Sequence, residues 1–227
     1  MTYHRSSLRL LLLALAAPAG CGLISSDVAK LTFDLPPKTY HYATPSGTPS
    51  GNVPPIPCTS NPDCCMSPID CNTTPLTCDG ANCQLQLTVT MSNMIDLATE
   101  VPKLQTLSNQ ALVDVTVSGI TYMIANTMDV ALPAITIYLA PMGITDPTSS
   151  QAVRFGTIPA TPARFTGPGN VMLDAGGQQA FAMYAHDFRT PFNFIATTTV
   201  VVPAGSPFPN GTVDVTINGH IQAQPSL

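Results

Sequence analysis

Seven cysteines and four histidines carry most of the chemistry this 227-residue chain has to offer. Six of the cysteines, Cys58, Cys64, Cys65, Cys71, Cys78 and Cys83, crowd into the stretch 58–83, with gaps of five, zero, five, six and four residues. No C-x-x-C pair occurs, which disfavours a zinc site and expects no metal. Three disulfides are the expected use, because a segment this polar cannot build a core of its own. Cys64 and Cys65 are adjacent, so they must pair elsewhere, and the connectivity stays open. Asp63, Asp70 and Asp79 invite a calcium reading, but no EF-hand spacing joins them and solvated loop carboxylates explain them. Neither G-x-S-x-G nor H-E-x-x-H is present. Glu100 is the only glutamate, so no Glu-based acid/base pair is available. His41, His186 and His220 are scattered, and His186 next to Asp187 points to a different helix face from it. A histidine at a helix C-terminus also has a structural reason to be there. No constellation marks a reaction centre, so no catalytic residue, cofactor or enzymatic activity is expected.

The seventh cysteine, Cys21, stands next to last in the segment "LLLLALAAPAGCG". Before it come basic residues (Arg5, Arg9), an apolar run from Leu10 to Ala17 and then small residues, the layout of a secretory signal over residues 1–20. The apolar run is too short to span a bilayer as a mature helix. Two cleavage readings exist. Ala17-Pro18-Ala19 fits ordinary signal peptidase and leaves Cys21 a free thiol. Ala19-Gly20-Cys21 resembles the bacterial lipobox, with Pro18 where an aliphatic residue is usual, and makes Cys21 the acylated first residue. The second reading uses Cys21 chemically and leaves an even number of cysteines to pair. It implies a bacterial lipoprotein tethered to membrane through Cys21. Gly22 follows instead of an inner-membrane-retaining aspartate, so the expected location is the outer membrane, facing periplasm or surface.

Loss of the signal removes Arg5 and Arg9, leaving six basic residues against 13 acidic ones, a formal charge of −7. The basic residues form no cluster to meet phosphate, which excludes nucleic acid as an expected partner. Charged residues are only 9% of the chain, so the surface must be made of Thr, Ser, Asn, Gln and Pro.

Residues 21–57 read as a tether and a Pro/Gly/Ser-rich linker, "ATPSGTPSGNVPPIP" being its clearest part. Pro36-Pro37 interrupts the alternating "LTFDL", and Leu31 to Tyr42 has a second reading as an edge strand of the main domain. After the cysteine-rich module 58–83, residues 84–227 turn to period two. "QLQLTVTM", "LVDVTVSGITYMI", "AITIYLA", "AVRFGTI", "RFTGPGNVML", "FNFIATTTVVV" and "TVDVTINGHIQA" supply strands. Gly119 shifts the phase from Val113, Val115 and Val117 to Ile120, Tyr122 and Ile124, as a bulge would. One segment, "DAGGQQAFAMYAHDF", carries Phe181, Tyr184 and Phe188 at helical spacing and predicts a helix near 176–188 that caps an edge or end. The expected fold is mainly β, an immunoglobulin-like sandwich of about eight strands with one helix, preceded by the small disulfide-rich module.

The order strand, strand, "GTIP", strand, helix, paired strands resembles the late embryogenesis abundant type 2 family and its water stress and hypersensitive response domain. Gly156, Thr157, Ile158 and Pro159 stand at that family's Gly-x-Ile-Pro-like turn, and Phe181 to Phe188 at its helix. The likeness spans Leu85 to Ala223. It implies a sandwich with one helix and a non-enzymatic, stress-associated or interaction role. It carries no catalytic residues to transfer.

The functional expectation is therefore a lipid-anchored cell-envelope protein acting as an interaction or structural module, with an envelope protein as partner. The longest turns, "APMGITDPTSS" and "PAGSPFPNGT", are its candidate binding loops, the second exposing Phe208 between prolines. The alternative is a carrier of apolar ligands lined by Phe181, Tyr184 and Phe188. A hydrolase dependent on His186 is the third reading.

Overall fold

The alternating runs become strands. A computed structural model describes residues 31–44, 50–65, 76–105 and 113–225. Cys21, Asp70 and Cys71 lie outside these, as does the Cys65 side chain. In chain order the elements are β1 (Leu31–Ala43), a 3-10 turn (Asn61–Cys65), β2 (Leu76–Cys78), β3 (Cys83–Ile95), α1 (Leu97–Glu100), α2 (Pro102–Gln105), β4 (Val113–Asn126), β5 (Ile135–Pro141), β6 (Val153–Ile158), β7 (Phe165–Asn170), β8 (Met172–Leu173), α3 (Ala175–His186), β9 (Phe192–Val202) and β10 (Thr212–Pro225).

One sheet has the order β1-β10-β4-β7 and the other β2-β3-β9-β5-β6-β8, with every pairing antiparallel. This is the β-sandwich that the alternation implies, eight longer strands with two short additions. Setting aside β2 and β8, the orders 1-10-4-7 and 3-9-5-6 wind the chain as a jelly roll. The inner faces meet in one core. Val115, Val117, Ile120, Ile124, Val213, Val215, Ile217 and Ile221 come from the first sheet, and Ile135, Ile137, Leu139, Phe194, Val200 and Val202 from the second. Burying one such side chain fully is worth about 1.5–3 kcal/mol.

Of the two readings of residues 31–42, the structure has the edge strand. β1 pairs with β10 from Leu31↔Ala223 to Ala43↔Thr212 and buries Phe33, Leu35 and Tyr40. Pro36-Pro37 occupies the register shift between Leu35 and Lys38, where an edge strand can lack N–H donors. Lys38, just beyond the shift, reaches Glu100 of α1 at 2.5 Å, and the same carboxylate oxygen accepts the Asp96 N–H. The phase change in β4 is a bulge. Gly119 faces His220 and Val117 faces Ile221, so Ser118 is the extra residue, and its hydroxyl donates to the His220 carbonyl at 2.8 Å.

The helix bridges the sheets. α3 packs against β4 of one sheet and β6 and β5 of the other. Its approach to β6 is closest at Gly177, where a Cβ would stand 2.3 Å from the Phe155 carbonyl oxygen. Gly156 of "GTIP" makes a similar allowance for β8, because a Cβ there would meet the Met172 carbonyl at 2.7 Å. Gly176 has open space around it. Gly177→Ala should therefore lower stability by about 1–3 kcal/mol. Gly176→Ala should be neutral or raise it by up to about 1 kcal/mol. Urea unfolding of both variants checks this, and equal effects would mean that α3 does not sit against the Phe155 backbone.

Candidate functional surfaces at the two ends of the sandwich

Antiparallel registers sort the loops by end. Ala43 lies opposite Thr212, Asn126 opposite both Val213 and Phe165, and Leu85 opposite Val202. The cysteine segment and the connections 127–134, 159–164 and 203–211 therefore gather at one end. The start of β1, the connection from β3 to β4, the loop 142–152 and the segment carrying α3 gather at the other. "APMGITDPTSS" and "PAGSPFPNGT" are thus at opposite ends and cannot share one site.

The cysteine end is built by cross-bonding of short pieces. Residues 50–53 run beside the β9–β10 loop. Val53 donates to Ser206 at 2.8 Å, Gly205 donates to Val53 at 2.7 Å, and Phe208 donates to Gly51 at 3.0 Å. Val53 is fully buried. Phe208 does not project between its prolines as expected; it is half-buried and packs against the core. The chain then crosses the β2–β3 hairpin, with Cys58 N–H donating to Ala81 and Cys83 N–H donating to Ile56.

Two disulfides staple this corner, Cys58–Cys78 and Cys64–Cys83, with Cα separations of 5.9 and 5.5 Å. Cys64 indeed pairs away from Cys65. Cys58, Cys64 and Cys83 are buried in the main core cluster, so the module shares the sandwich's core. Its carboxylates serve their own turns. Asp63 accepts from the N–H groups of Thr59 at 2.7 Å and Ser60 at 2.8 Å, and from both hydroxyls. Asp79 accepts from the N–H groups of Asn82 at 2.7 Å and Ala81 at 2.8 Å. These bonds hold both carboxyls below the ordinary aspartate value, backbone donors being the largest cause in each.

At the opposite end the expected aromatic stripe is core. Phe181 and Phe188 are buried, and Phe181 lies 5.8 Å from Phe155 and from Phe192, centroid to centroid. Tyr184 is half-buried and stacks on Phe192 at 5.4 Å. The Arg189 guanidinium lies 5.7 Å from the Phe188 ring. His186 ends α3, while the Asp187 carboxylate accepts from the Thr190 hydroxyl at 2.6 Å. The structure shows no hydrogen bond between the two.

Sequence reasoning missed the pairing of the other histidines. His41 meets Asp214 at 2.6 Å and His220 meets Asp34 at 2.5 Å, both across the β1–β10 ladder. The only available signal was parity within β1, and Pro36-Pro37 breaks that count. Hydroxyl pairs decorate the outer faces in the same way, Thr39–Thr216, Thr88–Thr199, Thr90–Thr197 and Thr127–Thr212 at 2.9–3.2 Å.

No family model matches this chain, and no curated protein sequence matches it. Among solved structures it is similar to one of Desmodium yellow mottle tymovirus, at 10% identity over 98% of each chain, with a TM-score of 0.29. It is also similar to one described as "carbohydrate-binding modules from the beta-sandwich super family", at 9% identity over 85% of this chain and 56% of that one, TM-score 0.28. A third likeness, to a structure of turnip yellow mosaic virus, has 10% identity over 99% and 92% of the two chains, TM-score 0.27. Scores this low carry no argument about function.

Each disulfide closes a loop of about 20 residues, so Cys83→Ser should cost about 2–4 kcal/mol in chemical denaturation. Thiol titration of the denatured, unreduced protein should find no free sulfhydryl among the six clustered cysteines. Acid should loosen the same corner. A carboxyl depressed in the folded state stabilises it above the unfolded value of about 3.9, and that contribution disappears as pH falls through the folded value. Protection factors at the Thr59 and Ser60 amides, referred to the intrinsic exchange rate at each pH, should therefore fall only below about pH 4, and Asp63→Asn should abolish that pH dependence.

Proposed function

We propose that this protein is a lipid-anchored component of a bacterial cell envelope that presents the cysteine-stapled end of its sandwich to an envelope protein, without catalysis. The observation that carries this reading is the polarity of β1. The chain enters the sandwich at one end, and the 13 residues of β1 run the length of the first sheet toward the disulfides. At about 3.3 Å per residue that separation is about 40 Å. An acyl group on Cys21 would stand ten residues before Leu31, a spacer reaching at most about 36 Å. The α3 end then faces the bilayer, and the disulfide end faces away from it. Tether, scaffold and rigidified loops together form a display device.

No helix among the described residues is long and apolar enough to cross a membrane, so attachment in this reading comes from the lipid. Acyl chains contribute about 0.8 kcal/mol per buried methylene, and two or more hold stably. The low charge suits display, because the outer faces are covered by paired hydroxyls rather than by a field that would attract polyanions. The carrier alternative gains nothing from the aromatic cluster, whose rings are spent on one another.

Mass spectrometry of the protein purified from its envelope should find diacyl or triacyl additions on Cys21. Crosslinking in the intact envelope should capture a partner that is lost with Ala81→Arg/Pro207→Arg at the disulfide end. Capture should survive Ser150→Arg/Gln151→Arg at the other end. These positions are all exposed. An unmodified N-terminus at Gly20, or loss of capture only with the second pair, would overturn the reading.

A further inference from the structure

The spacing of the cysteines argues against zinc, yet the fold undoes that spacing. Cys78 ends β2 and Cys83 begins β3, so the two face each other as register partners across a hairpin. The Sγ atoms of Cys58, Cys64 and Cys83 all lie within 4.8 Å of one another. The Cys78 Sγ is bonded to that of Cys58 at 2.00 Å. Four sulfurs from two neighbouring disulfides therefore share one corner. In a tetrahedral four-thiolate zinc site, Zn–S bonds of about 2.3 Å place the sulfurs about 3.8 Å apart. That distance lies within the 4.8 Å that bounds the separations among the Cys58, Cys64 and Cys83 sulfurs.

The backbone around the corner does not depend on the disulfides alone. Cys58 is held by its N–H bond to Ala81, and Cys83 by its N–H bond to Ile56. The turn carrying Cys64 is tied by Asn61, whose Oδ1 accepts the Cys78 N–H at 2.8 Å. A further bond suits a metal thiolate. The Gly80 N–H donates to the Cys78 Sγ at 3.4 Å, from a turn that Gly80 makes at φ +99°. An N–H aimed at a ligand sulfur orients it and stabilises its negative charge. Cys64 and Cys83 are fully buried, so an ion bound there would exchange slowly with water.

We propose that this corner has two interchangeable staples: a pair of disulfides when oxidised, and one zinc-class divalent cation held by Cys58, Cys64, Cys78 and Cys83 when reduced. The exchange balances with a small dithiol as reductant. Two dithiol molecules each give two electrons and two protons and close to cyclic disulfides. Cys58–Cys78 and Cys64–Cys83 each accept two electrons and two protons and open to thiols. The cation then displaces four protons and takes four thiolates. The segment would so keep its shape in a reducing as well as an oxidising space. This inference does not rest on the display reading, because metal uptake and partner capture are measured separately.

The test uses the full chain carrying Cys21→Ser, Cys65→Ser and Cys71→Ser, so that only the four cysteines remain. The protein is reduced with excess dithiol, freed of it without oxygen, and titrated with Co²⁺. One Co²⁺ per chain should bind, with intense thiolate-to-cobalt charge transfer and the visible bands of tetrahedral geometry. Equimolar Zn²⁺ should bleach both. A further Cys83→Ser or Cys58→Ser should weaken binding at least a hundredfold. Amide protection at Thr77 and Leu85 should return with Zn²⁺. No stoichiometric uptake, an octahedral spectrum, or binding unchanged by Cys83→Ser would overturn the proposal.

Discussion

The first sheet depends on the last strand. β10 lies between β1 and β4 and pairs with both over nearly their whole lengths. Until residues 212–225 arrive, β1 has no hydrogen-bonding neighbour and β4 has only the short β7. Leu31 pairs with Ala223, so the ladder joins the two extremes of the described chain. Such pairing bears its loop-closure entropy before any contact rewards it, which makes this topology slow to fold. The side chains along the ladder reflect that demand. Phe33, Leu35 and Tyr40 drive β1 inward, while His220–Asp34 and His41–Asp214 bracket it on the outer face.

An edge strand of 13 residues is also an invitation to pair with another chain. Pro36 and Pro37 remove two donors from β1 in its middle, and the register shift there breaks its regularity. Lys38 is drawn back toward α1 by Glu100. That contact ties the edge strand to the connection between the sheets. It also sets a charge beside the buried Tyr40, whose phenol is pushed well above its usual value by burial first and Glu100 second. The only glutamate of the chain thus has a structural task, which composition alone does not reveal.

Much of this was legible because period two is a local property. Val115 and Val117, then Ile120 and Ile124, announce both the inward face of β4 and its bulge before any partner is known. Phe181 and Phe188 likewise announce a buried helix face, although Phe188 comes to lie beyond the end of α3. The membership of Leu31–Ala43 was less legible, since two prolines look alike in a stalk and in an edge strand. The ends of the sandwich were not legible at all. Whether loop 142–152 and loop 203–211 are neighbours depends on strand order, and alternation is silent about order. That is why "APMGITDPTSS" and the loop carrying Phe208 read as one kind of candidate in sequence and stand at opposite ends in space.

The cysteines show the same gap between spacing and place. Gaps along a chain describe a site only when its ligands lie on one local turn. Here Cys58 and Cys64 come from the linker side and Cys78 and Cys83 from the β2–β3 hairpin, brought together by the Cys58 and Ile56 backbone contacts and by the Asn61 side chain. The corner also receives Val53 and Phe208, so the linker, the cysteine segment and the β9–β10 loop pack against one core. A surface assembled from three separate segments has little conformational freedom left to lose on binding. Its rigidity comes from cross-links and short ladders rather than from regular secondary structure. This explains why a segment with so few apolar residues can still build one end of the sandwich.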